Sequence, residues 1–380
     1  MPEKINPAHQ RSEFLANDRY TFNSTVMPPG LLVEDYMQNV FSGNHLLLDV
    51  RSESEFFQGR IPGAVNLPLL DNEARKEVGI TYKVHGRNQA VEKGFELTGE
   101  KFHTFIKTVK DYLSSEQQTV LLYCWRGGMR SSIMSWLLET AGIKTILLKG
   151  GYKSYRRWAL QQIEAERKLI VLGGKTGSGK TFLLNELKKS GEQVLDLEAL
   201  ANHRGSAFGA IGMEPQPRQE HYENLIAFEF GKTNPENILW VENESRKVGS
   251  LKIPDILFDH MLAAPLVEIV LSYEERINRI DDEYGKFAVD ELKANTVKLE
   301  RSLGGARMKE AIQLLEENKI REWIKQMLEY YDKTYEYGLS QRNPEQISKV
   351  EFIAEDIDFT VKKILSIHNS VKENIIEIRN

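Results

Sequence analysis

The sequence predicts two α/β domains in one chain, each built on a parallel sheet, the second with a helical extension. Three observations lead there. The chain has 380 residues, beyond the roughly 250–300 at which a single core stops growing. Short apolar runs alternate with helical patterns in both halves, as parallel sheets require. Past about Glu274 the pattern turns helical and charged.

In the first half, HLLLDV (His45–Val50), TVLLYC (Thr119–Cys124) and KTILLKGG (Lys144–Gly151) are aliphatic runs stopped by polar or Gly residues. Between the last two, RSSIMSWLLETAG places Ile133, Trp136, Leu137 and Leu138 on one helical face and ends at Gly142, a C-cap signal. The order strand, loop, helix, strand is a parallel βαβ unit.

The second half opens with KLIVLGG (Lys168–Gly174), a Gly loop, the helix Lys180–Lys189 ended by Gly191, and the strand Gln193–Glu198. Asn237–Glu242 and Val267–Ser272 supply further strands. The stretch Tyr152–Lys168 reads as a charged connecting helix. Ile320, Trp323, Ile324, Met327, Leu328 and Tyr331 recur at helical spacing and are read as core-facing. The expected boundaries are an N-terminal extension over 1–30, a first domain over 31–155, a connecting helix over 156–167 and a second domain over 168–380.

Hydrophobic residues at 41% and charged residues at 28% give the balance of a globular protein. A single cysteine excludes an intramolecular disulfide and any multi-cysteine metal site, and suits a reducing compartment. MPEKINPAHQRSEF lacks the features of a signal peptide, and no apolar run approaches the roughly 18 residues of a membrane span. A cytoplasmic protein with no membrane partner is expected. The net charge of −5 argues against wholesale coating by nucleic acid, yet Lys144, Lys149, Lys153, Arg156 and Arg157 form a basic stretch free of acidic residues.

Two loops carry chemistry. In GKTGSGKT, Gly174, Lys175, Thr176, Gly177, Ser178, Gly179, Lys180 and Thr181 meet the spacing G-x-x-x-x-G-K-[ST] directly after a strand and before a helix. Backbone N–H groups would turn toward phosphate oxygens, Lys180 would reach the terminal phosphates, and Thr181 offers a hydroxyl to Mg²⁺. Glu242, closing NILWVE, is the leading candidate for a metal or acid partner and Asp196 the second; a plain strand-end charge is the alternative for Glu242. The other loop holds Cys124 at a strand end, followed by Trp125, Arg126, Gly127, Gly128, Met129 and Arg130, with a helix beginning near Arg130. Loop amides, a positive helix end and two arginines favour a thiolate, hence a nucleophile or group carrier. A small buried hydrophobe is the alternative.

Leu46 to Pro68, LLLDVRSESEFFQGRIPGAVNLP, followed by YCWRGGMRS, resembles a rhodanese domain. By that resemblance Cys124 carries sulfur or selenium as a persulfide or perselenide. Many single-domain rhodaneses place the arginine five positions after the cysteine, whereas Arg130 follows by six, which leaves room for a larger anion. Taken with LPLLDNEARKEVGITYKVHG, LKGGYKSYRR, GGKTGSGKT, DLEALANHRGSAFG and WVENESRKVGS, the chain from about Asp49 to Tyr337 resembles the tRNA 2-selenouridine synthases.

That resemblance implies a rhodanese-like α/β domain followed by a P-loop NTPase-like parallel-sheet domain with a helical extension. It implies a transferase that exchanges the sulfur of wobble 2-thiouridine, in tRNAs of the Lys, Glu and Gln type, for selenium from selenophosphate. The route implied passes through S-geranyl-2-thiouridine made with geranyl diphosphate, with Cys124 the essential cysteine and Mg²⁺ a candidate cofactor at Thr181. A splayed base would be met by basic and aromatic residues, for which Lys153, Tyr155, Arg156 and Arg157 in YKSYRRW and His203 and Arg204 in NHRGS are candidates. A solvated helix face or a packed loop is their alternative. Two other functions stay open: an ATP-dependent tRNA sulfurtransferase or kinase-like enzyme, which would turn over nucleotide without a geranyl donor, and a persulfide or perselenide carrier, which would leave tRNA unchanged.

Overall fold

The computed structural model describes residues 30–114 and 118–378; apart from Gly30, the N-terminal extension expected over 1–30 lies outside them. By its contacts the chain divides into two units. Among the described residues, one holds 30–52 together with Val65–Gly151; the other holds Glu53–Ala64 and 152–378.

In the first unit the parallel strands β1 (Leu46–Asp49), β2 (Val65–Asn66), β3 (Val120–Tyr123) and β4 (Thr145–Leu147) are ordered β2-β1-β3-β4. Every residue of β3 is buried, and VLLY accordingly shows no polar alternation. Leu48, Val50, Phe105, Val109, Leu122 and Met134 belong to one core cluster. The helix Met129–Thr140 buries Met134, Leu137 and Leu138 and is followed by Gly142 at φ +81°. Trp136, expected on that inner face, points outward. Serines take the inner stripe instead, and Ser135 Oγ lies 2.6 Å from Thr145 Oγ1 on β4, a satisfied polar pair that hydrophobicity alone does not reveal.

The second unit is a five-stranded parallel sheet with a short antiparallel pair beside it. Its strands are β5 (Leu169–Gly174), β6 (Gln193–Leu195), β7 (Leu239–Glu242), the pair β8 (Lys247–Val248) and β9 (Leu251–Lys252), then β10 (Leu266–Val270) and β11 (Ile347–Glu351). The sheet order is β11-β10-β5-β7-β6, with β5 at the centre. Helix Lys180–Lys189 buries Leu183, Leu184 and Leu187 in the cluster that holds Ile170, Leu172 and Trp240.

A second cluster forms where helices Tyr273–Tyr284, Val289–Val297, Gly305–Glu316 and Ile320–Ser340 bring together Ile277, Leu292, Leu315, Trp323, Ile324 and Leu328. The stripe from Ile320 to Tyr331 therefore packs inward. Trp323 Nε1 donates to Thr296 Oγ1 at 3.2 Å, so the indole is buried with its polar tip satisfied. A capping box between Ser272 and Glu275 starts the first of these helices.

The helix expected to connect the domains runs Gly151–Glu164 and, from Tyr152, belongs by contacts to the second unit. Tyr152, Tyr155, Trp158 and Ile163 are buried, which removes it from the role of a solvated link. The segment Glu53–Ala64 packs in the same unit: Asn224 Nδ2 donates to Arg60 O at 3.1 Å and to Tyr152 Oη at 2.7 Å, and Tyr152 Oη donates to Glu220 Oε1 at 2.7 Å.

Candidate functional site

Cys124 is the residue after β3, and Asp49 ends the neighbouring β1, so both stand at the C-terminal edge of the first sheet, where α/β folds hold ligands. The Cys124 side chain is buried; its Sγ accepts the Gly128 N–H at 3.3 Å and lies 3.2 Å from Ser131 Oγ. Gly128 caps helix Met129–Thr140, so the sulfur sits at the positive helix end. Gly151, at φ +61°, closes the cradle: a Cβ there would lie 2.3 Å from both Cys124 O and Gly127 N. A sulfur so placed is suited to nucleophilic or carrier chemistry.

Around it, Arg51 is fully buried against Asp49, Nε at 2.9 Å from Oδ1 and a terminal nitrogen at 2.6 Å from Oδ2. The same guanidinium lies 5.6 Å from the Tyr123 ring centroid and 5.9 Å from that of Trp125. Trp125 and Met129 are 40% and 43% exposed, Arg126 is exposed and Arg130 half-buried. The loop thus offers both apolar and cationic surface beside the sulfur.

In the second unit the loop after β5 begins at Gly174, and Lys180 Nζ donates back to Gly174 O at 2.9 Å. Helix Lys180–Lys189 starts with no side-chain cap, which leaves its first-turn N–H groups available to a phosphate. Ser178 Oγ is buried without a partner within the loop. Lys175 instead pairs with Glu336 at 2.6 Å and Asp332 at 3.4 Å. Arg276 braces the loop from the other side, its Nε donating to Thr176 O at 2.8 Å while its terminal nitrogens hold both Asp332 oxygens.

Beside the loop lies an acidic cluster. Glu242 ends β7, Glu244 follows it, and Glu198 belongs to the short helix Leu197–Leu200; a carboxylate oxygen from each lies within 4.8 Å of the others. Glu242 is fully buried, with Oε1 accepting the Glu198 N–H at 2.5 Å and Oε2 without a partner. Burial, then the Glu244 charge, pushes Glu198 up to about 9, with Lys180 opposing. Glu242 is raised by burial and by the two neighbouring carboxylates, and Glu244 by burial against the pull of Lys180.

Lys180, Thr181, Glu198 and Glu244 open onto one cavity of about 760 Å³. Its further walls include Phe258 and Leu262, and Tyr330, Tyr331 and Tyr337 from helix Ile320–Ser340. Phosphate-loop residues and apolar side chains therefore line one space.

A family model described as a rhodanese-like domain matches residues 32–157, and one described as the tRNA 2-selenouridine synthase AAA domain matches residues 167–357. A tRNA 2-selenouridine synthase of Sulfurovum sp. (strain NBC37-1) is 38% identical over 345 residues, covering 82% of this chain and 93% of that protein. One of Bdellovibrio bacteriovorus is 36% identical over 359 residues, covering 81% of this chain and 93% of its own length. The chain belongs to the tRNA 2-selenouridine synthase family.

In this member of the tRNA 2-selenouridine synthase family, Cys124 to Arg130 form one loop and Gly174 to Thr181 another, each between a strand and a helix. Glu242 joins the cavity-side acidic cluster, whereas Asp196 does not: its Oδ1 accepts the Ala199 N–H at 2.8 Å as the N-cap of Leu197–Leu200. The residues expected at a tRNA surface differ in exposure. Tyr155 is fully buried, its hydroxyl donating to Asn224 O at 3.2 Å, and Arg156 pairs with Glu223. His203 is buried too, with burial lowering its pKa. Of the three, only Arg156 keeps part of its side chain at the surface. Lys153 and Arg157 are exposed, and Arg204 lines the cavity while paired with Glu283 at 3.1 Å.

Sequence reasoning passed over Glu198, Glu244 and Gly205. They lie in DLEALANHRGSAFG and WVENES, runs of charge with no periodicity, and the signal to follow was Glu242-Asn243-Glu244 at a strand end.

Proposed function

We propose that this protein replaces the sulfur of wobble 2-thiouridine in tRNA by selenium, taken from selenophosphate, through an S-geranyl intermediate. In the first step the thiouridine sulfur attacks C1 of geranyl diphosphate, the carbon–oxygen bond breaks and diphosphate leaves with the N3 proton going to a base. In the second, the selenium of selenophosphate adds at C2 of the pyrimidine, geranyl thiol leaves, and water then breaks the phosphorus–selenium bond to release phosphate. Alkylation is needed because unalkylated sulfur is a poor leaving group.

The observation that carries the reading is the cavity of about 760 Å³, whose lining includes the phosphate loop and Lys180 together with the apolar side chains Phe258 and Leu262. That is the lining an amphiphilic diphosphate needs. Lys180 and the uncapped helix start would hold the diphosphate, while the buried Cys124 in its amide cradle would serve the selenium step. The unpartnered Glu242 Oε2 fits a Mg²⁺ ion held with Thr181, which would supply charge neutralisation to a leaving diphosphate. Transferase chemistry of this kind needs no membrane, and no described helix is long and apolar enough to cross one.

Nucleoside mass spectrometry of 2-thiouridine tRNA incubated with geranyl diphosphate and then selenophosphate tests it. Wild type should yield 2-selenouridine, Cys124→Ala should stop at the geranylated base, and Lys180→Ala should leave 2-thiouridine unchanged. Full geranylation by Lys180→Ala would remove the role given to the phosphate loop.

A further inference from the structure

We propose that Tyr330 and Tyr337 form a stacking slot for the target pyrimidine of the tRNA, on the wall of the cavity that holds the phosphate loop. The proposal rests on the reading above, because a sulfur that attacks a bound diphosphate ester must enter the space the diphosphate occupies. The base has to leave its own stack to get there, and a protein that extrudes a base commonly gives it side-chain rings to stack on.

Helix Ile320–Ser340 turns one face to the cavity, with Tyr330, Thr334, Tyr337 and Gly338 along it. Tyr330 and Tyr337 are seven residues apart, two turns and a rise of about 10.5 Å, so they project to the same side. Thr334 and Gly338 keep the surface between and beside them low, and a Cβ at Gly338 would meet nothing within 4 Å. Two rings with small residues between them leave room for one flat base.

The state of the tyrosines points the same way. Tyr337 is 71% exposed, and among the described residues no ring stacks on it and no group hydrogen-bonds its hydroxyl. Packing does not account for it. Tyr331 accepts the Ala207 N–H at 3.1 Å, and the Tyr330 ring rests against Tyr331 at 5.1 Å between centroids, so Tyr330 is braced from behind.

Two features select a base over the alkyl chain of the diphosphate. The exposure of Tyr337 would leave an alkyl chain in water, whereas a nucleotide still joined to a macromolecule must enter from the solvent side. Arg246 lines the same cavity, its guanidinium 4.5 Å from the Phe258 ring centroid, and its ion pairs are with the exposed carboxylates of Asp255 and Asp259. A phosphodiester beside the extruded base can take their place. Stacking is also indifferent to the substituent at C2, so one slot serves the base before and after alkylation.

The test is photocross-linking of the full-length protein to an anticodon stem–loop RNA carrying 5-iodouridine at the wobble position, with adducts mapped by peptide mass spectrometry. Adducts should fall on Tyr330 or Tyr337 and should be competed away by 2-thiouridine tRNA. In geranyl transfer, Tyr330→Leu and Tyr337→Leu should lower kcat/KM for tRNA at least about 5-fold and leave the KM for geranyl diphosphate unchanged. The Phe variants should behave as wild type. Adducts confined to other residues, such as Trp125, or none within Ile320–Ser340, overturn the slot; so do Leu variants that raise the KM for geranyl diphosphate instead. A wild type that cross-links at these tyrosines yet leaves 2-thiouridine unalkylated keeps the slot and refutes the proposed reaction.

Discussion

The Arg51 guanidinium closes on the Asp49 carboxylate at 2.6 Å with both side chains wholly out of water, two residues apart at the end of one strand. Removing one partner takes the counter-charge from the other. Asp49→Ala should destabilise the first unit by about 3–5 kcal/mol, read as a drop in the denaturation midpoint by tryptophan fluorescence. Replacing both residues with apolar side chains of similar volume should recover most of the loss; an Asp49→Ala protein as stable as wild type would contradict this account.

Gly151→Ala should strain the loop at Cys124, because its methyl would meet Cys124 O and Gly127 N at 2.3 Å in a backbone with φ +61°. The expected cost is about 1–3 kcal/mol. The Gly128 N–H should also retreat from the sulfur, so Cys124 should react more slowly with iodoacetamide. Wild-type alkylation kinetics in this variant would show that Gly151 does not shape the cradle.

His221 gives the second unit an acid limb. Burial first, then the Arg60 charge, holds its imidazole at about 4 against an ordinary 6.5. The folded state therefore refuses a proton that the unfolded chain accepts, and stability falls as pH drops from about 6.5 to about 4. The full loss is about 3 kcal/mol. His221→Gln should flatten that limb in urea midpoints measured between pH 7 and pH 4.5; an unchanged acid limb would assign it to other groups.

Asp332 joins helix Ile320–Ser340 to the phosphate loop through Arg276 and Lys175. Asp332→Ala should leave the buried Arg276 guanidinium without its carboxylate and loosen one wall of the cavity. Faster amide hydrogen exchange along Ile320–Ser340 is the expected result. Exchange at the wild-type rate would mean that the helix is held by Trp323 and its apolar neighbours alone.

Both candidate loops were legible in the sequence because each couples a short apolar strand to a glycine-rich turn and a helix. The strands β1, β3, β5 and β7 were equally plain, being buried runs without polar interruption. Other elements were not. β2 has only two residues, too few for any period, and β11 is an edge strand in which only Val350 is buried. Tyr155 and Arg156 read as a nucleic-acid surface because aromatic and basic residues also build buried helix faces, and their partners Asn224 and Glu223 lie 67 or more positions away. The carboxylate cluster shares that difficulty, since Glu198 and Glu242 meet only through the order β5-β7-β6.

The residence of Glu53–Ala64 in the second unit bears on the order of synthesis. This piece leaves the ribosome before Cys124 is made, yet its partners Tyr152, Glu220 and Asn224 come later. The second unit therefore completes itself around chain that is already outside the ribosome. Two chain crossings tie the units there, after Ser52 and after Ala64, in addition to the one at Gly151. A C-terminal fragment begun at residue 168 would lack both Glu53–Ala64 and the Gly151–Glu164 helix, and would leave Glu220, Glu223 and Asn224 without Tyr152, Arg156 and the Arg60 carbonyl.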